Sequence, residues 1–155
     1  MALKSNFNET RIGRDVEKQT DVIYEKVLNS FIMAGEQFIT DAREQGQDHA
    51  MGQYEDQTTI LRNSIGYFIF HDGELVHEKN EITANRAIVQ EFVKPKGFQM
   101  ILIAGMNYAS FVESKGYNVI SYQADVCMIN LAGYFEKLEV ISQGSAAQME
   151  ETFIP

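Results

Sequence analysis

The stretch FQMILIAGMNYASFVESKGY, residues 98–117, governs how the rest of the chain is read. Its first half holds the most apolar run in the protein, residues 100–106. Both faces of an extended chain would be apolar near the middle of that run. This predicts a strand over 98–106, central in its sheet and covered on both sides or paired on both edges. The second half is polar, aromatic and closed by Gly116. It predicts a turn or short helix over 107–115, at the surface the protein uses.

Upstream, apolar or small residues recur at Val16, Thr20, Ile23, Val27, Phe31, Ala34, Phe38 and Ala42. Steps of four and three mark one helical face, so residues 14–45 are expected to form one long helix. Gly35 costs about 1 kcal/mol against alanine inside a helix and is expected to serve close packing. A helix of that length spans roughly 45 Å, more than a small sheet needs, so its N-terminal part is expected to overhang. Residues 1–13 read as a polar arm. Lys4, Arg11, Arg14 and Lys18 make the one local basic cluster, on a segment that is either solvated or docks on an acidic neighbour.

Residues 46–57 read as a polar loop, and 58–64 as a turn or single helical turn that Thr58 can cap. Asp72-Gly73 is a two-residue hairpin signal, because a type I′ turn needs positive φ at both central positions. It joins a strand over 65–70 to a return strand over 74–79. The simple register pairs His71 with Glu74, Phe70 with Leu75, Ile69 with Val76 and Phe68 with His77. Phe68, Phe70 and Leu75 would then share a core face, and His71 and His77 would lie on opposite faces. Residues 82–93 fit a helix with Ala84, Ala87, Ile88 and Phe92 inward, stopped by Pro95 and Gly97. A further strand is expected over 117–122 and a packing helix over 123–140, with Cys127, Leu131, Tyr134 and Leu138 on its buried stripe. Residues 141–155 read as a polar tail with an apolar tip, Phe153-Ile154, either a docking anchor or a frayed end. The expected fold is a single α+β domain over 14–140. It has a mainly antiparallel sheet of about four strands, with the long N-terminal helix and two shorter helices packed on it.

The chain has 155 residues, 45% of them hydrophobic, with ten Phe and seven Tyr, enough to bury a sizeable core. Its formal net charge of −9 repels bare nucleic acid and anionic membranes at long range. That argues against DNA recognition by a basic face, but not against acidic walls that DNA slides past. The single cysteine leaves no intrachain disulfide. No secretory signal or membrane-length apolar run is read from the sequence.

No catalytic constellation stands out. His49, His71 and His77 lack a metal-ligand spacing on a helix, and there is no CxxC, phosphate loop or nucleophile elbow. Cys127 reads as a core thiol. The expectation is no enzyme, no cofactor and no metal site. What remains is the patch Tyr108, Phe111, Tyr117 and Tyr122 beside Glu113 and Lys115, a composition typical of protein interfaces.

Three segments carry a family resemblance. They are Thr58-x-x-Leu61-Arg62-x-Ser64-Ile65, then Ala104-Gly105-Met106-x-Tyr108-Ala109-x-x-Val112-Glu113, then Gly116-Tyr117. Their order and spacing resemble tail-component proteins of tailed bacteriophages: the small neck, tail-completion and tail-terminator proteins that join head and tail. The match runs from the long helix to about residue 140. It departs at Thr59, where many members carry glycine. The resemblance implies a non-enzymatic virion protein, assembled in the host bacterial cytoplasm. Copies would form a sixfold or twelvefold ring between the portal-side connector and the tail tube, with DNA passing through the lumen unread. A tail-terminator ring capping the tube and a non-viral protein-binding module are the alternatives. Arg62, Asn107, Tyr108, Phe111, Glu113, Lys115 and Tyr117 are then the expected subunit-interface residues. The 46–57 loop is expected to add to this surface, with Glu113 and Arg62 pairing within or between subunits.

Overall fold

The computed structural model describes residues 9–44, 60–105 and 120–150. The fold is α+β. In chain order the elements are α1 (Glu9–Glu44), α2 (Ile60–Asn63), β1 (Ile65–His71), β2 (Glu74–Lys79), α3 (Thr83–Gln90), β3 (Phe98–Ala104) and α4 (Ser121–Glu150). The strands form one antiparallel sheet in the order β2-β1-β3.

Among the described residues β1, not β3, is the central strand. Residues 65–70 are all buried because both faces of β1 are covered. Ile65, Tyr67 and Ile69 join the core cluster with Phe31, Ala34, Phe38, Ile39, Ala42 and Cys127, under α1 and α4. Phe68 and Phe70 point the other way, onto Val89 of α3 with Ile101 and Ile103 of β3. This is the period-two alternation of a strand between two helical layers. β3 is half-buried along its length and lies at an edge among the described residues. A run apolar on both faces reports layers above and below, not neighbours to either side.

Three strands are described rather than about four. The strand expected over 117–122 is corrected at its end: Ser121 and Tyr122 belong to α4. Ala124 N–H already donates to the Ile120 carbonyl (2.8 Å), a helical i→i−4 bond. At its other end α4 continues to Glu150, through much of the expected tail, since no proline stops it. Likewise α1 starts at Glu9, so residues 9–13 are helical rather than part of an irregular arm.

Asp72 (φ 51°) and Gly73 (φ 84°) take the positive-φ turn expected of them. Asp72 also fastens the hairpin to the entry of β3: Gly97 N–H donates to its carboxylate (2.7 Å), and its own N–H donates to the Gly97 carbonyl (3.1 Å). His71 pairs with Glu74 and Phe70 with Leu75 as expected, but Ile69 then pairs with His77, not Val76. A bulge makes Val76 the extra residue and moves everything beyond it by one. His77 therefore reaches Tyr67 on the α1 side, the same side on which His71 meets Tyr24. The opposite-face placement of the two histidines is thus corrected. Leu75, expected in the core, is 41% exposed, whereas Val76 packs against the main cluster.

α3 presents a different face from the one expected. Asn85 and Val89 are buried, while Ala84 and Ala87 are exposed, Ile88 is 44% exposed and Phe92 62%. The inward face carries one polar anchor, Asn85, and one apolar contact, Val89 on Phe68 and Phe70.

α1 crosses the sheet at Gly35, where a Cβ would lie 2.7 Å from the Tyr67 ring. Gly35→Ala would add helix propensity worth about 1 kcal/mol, but overpacking against a fully buried ring costs typically 1–3 kcal/mol. The variant is expected to be net destabilised in urea denaturation, against the sign that propensity alone gives. α4 runs antiparallel to α1: Cys127 Sγ sits 3.5 Å from the Ala34 carbonyl, and Phe135 meets Phe31 edge-on at 5.6 Å. Burial pushes the Cys127 thiol up to about 11, as suits a core thiol. α1 spans roughly 54 Å. Its apolar stripe is core from Phe31 onward, but the same face is open at Val16 (56% exposed) and Ile23 (62%), so the N-terminal part does overhang.

Candidate subunit interface

The segments ending in Ser64-Ile65 and beginning with Ala104-Gly105 are forty residues apart in the chain but adjacent in the sheet. Ile65 pairs with Ala104, and Gly105 N–H donates to the Ser64 carbonyl (3.1 Å). Asn85 of α3 locks this junction. It is fully buried, and its Nδ2 donates to the Ser64 carbonyl (3.2 Å) and to Asn80 Oδ1 (2.8 Å). Asn80 closes a local turn of its own: its Nδ2 donates to the Ile82 carbonyl and its Oδ1 accepts from Ile82 N–H. Two donated bonds fix which end of the Asn85 amide is which. They also hold Asn85, rather than Ile88, on the inward face. Its Oδ1 is buried without a hydrogen-bond partner, which typically costs about 1–3 kcal/mol. On the other side of the same sheet end, Arg43 from the last turn of α1 donates to the Ile65 carbonyl (3.2 Å) and pairs with Glu81 at 2.9 Å.

Of the expected interface residues, Arg62 lies in α2 at this junction and is half-buried. Asn107, Tyr108, Phe111, Glu113, Lys115 and Tyr117 lie outside the described residues, as does the 46–57 loop. Tyr122, read with that aromatic patch, sits in the first turn of α4 and is exposed.

A second polar cluster was not legible in the sequence. Tyr67 donates its hydroxyl proton to Glu36 (2.8 Å) and contacts His77 Nε2 (3.1 Å), while Lys79 pairs with the other Glu36 oxygen. Burial, then the bond to Glu36 and its charge, push the Tyr67 phenol well above the usual tyrosine range. At Glu36, burial raises the carboxyl, but the bonds from Lys79 and Tyr67 and the charges of Lys79 and His77 outweigh it, so the net shift is downward. The four groups satisfy one another around a phenol with no exposure. The cluster bolts α1 to the hairpin. The bulge at Val76 brings it together, a feature with no local sequence signature. Among the described residues no group of three His, Cys, Asp or Glu is placed to hold a metal ion. None of their helices is long and apolar enough to cross a membrane.

The described domain also exposes large apolar side chains on three separate helices. They are Val16, Val22, Ile23 and Met33 on α1; Ile88 with Phe92 just beyond the end of α3; and Tyr122, Met128 and Ile129 on α4. Between Ile120 and Phe135 the α4 sequence carries one charged residue, Asp125. A helix apolar nearly all round is one that packs on more than one side.

Comparison of the chain with protein-family models, with curated proteins and with solved structures finds no match in any of the three.

Proposed function

We propose that the chain is a non-enzymatic structural subunit of a tailed-bacteriophage virion. In this reading copies associate head-to-tail into a sixfold or twelvefold ring at the head–tail junction, between connector and tail tube. The observation that carries the assembly part is apolar side chains exposed on α1, α3 and α4 of a domain whose sheet is already covered on both faces. Apolar patches on different sides of one subunit are what heterologous, ring-closing contacts require. The phage assignment is supported by the motif resemblance, whose first two segments meet at the Ser64–Gly105 junction. The charge of −9 suits a lumen that DNA traverses without sticking. The 107–117 segment, entered directly from Gly105, is the proposed ring contact. A Glu113–Arg62 pair there would contribute only about 0–1 kcal/mol if exposed, so its role is register. A tail-terminator ring is the second form of the same proposal.

Native mass spectrometry of the chain, alone and with a phage tail-tube protein, tests this. Six- or twelve-subunit species are expected, and the double variant Tyr108→Ala/Glu113→Ala is expected to lose them. A chain that stays monomeric with and without that partner would refute the ring.

A further inference from the structure

We infer that Asn85 is a positioning residue for the proposed interface: its amide fills the space a side chain at 105 would need, and so sets where the chain leaves β3. The inference rests on the ring reading for its functional half only. A Cβ at position 105 would overlap Asn85 Oδ1 and crowd Cγ and Nδ2 as well. Gly105 does not have a positive φ, in contrast to Gly73 and Gly97. Space, not backbone conformation, therefore demands glycine there. The amide cannot turn aside, because its Nδ2 is held by Ser64 and Asn80. Gly105 cannot drift away, because its N–H is held by the same Ser64 carbonyl. One carbonyl thus ties α3 and the end of β3 together. Oδ1, which has no N–H or O–H partner, lies where a Cβ at 105 would stand, so that a glycine Cα–H faces it instead. Shape complementarity at this point, rather than hydrogen bonding, is what the amide oxygen supplies. The chain passes from Gly105 straight into the segment proposed to meet the next subunit.

Thermal unfolding of Gly105→Ala, Asn85→Ala and the double variant tests the geometry. Gly105→Ala is expected to lower Tm by roughly 5–10 °C in the wild-type background, and by much less once Asn85 is alanine. Equal losses in the two backgrounds would overturn the inference. Native mass spectrometry tests the functional half, at a temperature where all variants are folded. Asn85→Ala is expected to reduce the assembled fraction roughly tenfold, whereas Val89→Ala, a destabilised control on the same helix, assembles normally. Asn85→Ala assembling like that control would overturn the positioning role. A wild-type chain that never assembles refutes the ring reading and the functional half with it, while the thermal cycle still decides whether Asn85 dictates glycine at 105.

Discussion

Val89→Asp is expected to unfold the domain under conditions where Phe92→Ser leaves it folded. The two positions are three residues apart, and amphipathic patterning ranks them the other way: Phe92 is the larger side chain and falls on the helix face expected to point inward. In the structure Val89 is 1% exposed and sits against Phe68, Phe70 and their β3 neighbours. A carboxylate there has no cationic partner in its cluster, and either its charge or its protonation must be forced; the loss is roughly 3–5 kcal/mol. Against a typical stability of about 5–15 kcal/mol this removes much or all of the folded state at 37 °C. The Phe92 side chain is mostly in water, and what α3 needs from this residue is its carbonyl, which accepts from Gln99 Nε2 (2.8 Å) whatever the side chain. Phe92→Ser is expected to stay within about 1 kcal/mol of wild type. Circular dichroism melts of the two variants decide it. A Phe92 variant that melts first would mean that α3 is rotated from the orientation described.

Phe68→Ala is expected to cost about 3–5 kcal/mol, near the upper end for a single truncation. Phe68 is fully buried at the centre of the sheet, paired with Glu78 on one side and Ile101 on the other. Its ring fills the layer between β1 and α3, a small cluster with few other large side chains to collapse into the cavity. For a chain of this size the shift is roughly 10 °C in Tm. A loss below 1 kcal/mol in equilibrium urea unfolding would show that the α3 layer is not part of the cooperative core. This measurement also separates the two faces of β1, because Phe68 touches only the layer on which α3 rests.

Elements carried by local chemistry were readable without tertiary information. Asp72-Gly73 dictates a tight turn through backbone conformation. The steps of three and four from Val27 to Ala42 dictate a buried helical stripe, and the expected stripe of Cys127, Leu131, Tyr134 and Leu138 a second, of which Cys127, Leu131 and Tyr134 pack on the core together with Phe135. From these the α+β class and its long helix follow. Folding in three dimensions settled matters of relative placement. The position of β1 between its neighbours depends on its pairing with β3, from His71 with Phe98 to Ile65 with Ala104, a long-range contact that strand apolarity does not encode. The bulge at Val76 follows from how β2 must bend to seat His77 and Lys79 under α1, and no pair of adjacent residues announces it. The rotation of α3 goes with two contacts across the gap: Asn85 reaches Ser64 and Asn80, and Val89 seats on Phe68 and Phe70, while Ile88 and Phe92 are left toward solvent. Periodicity reports which residues share a face, but only the partner across the gap determines which face turns inward.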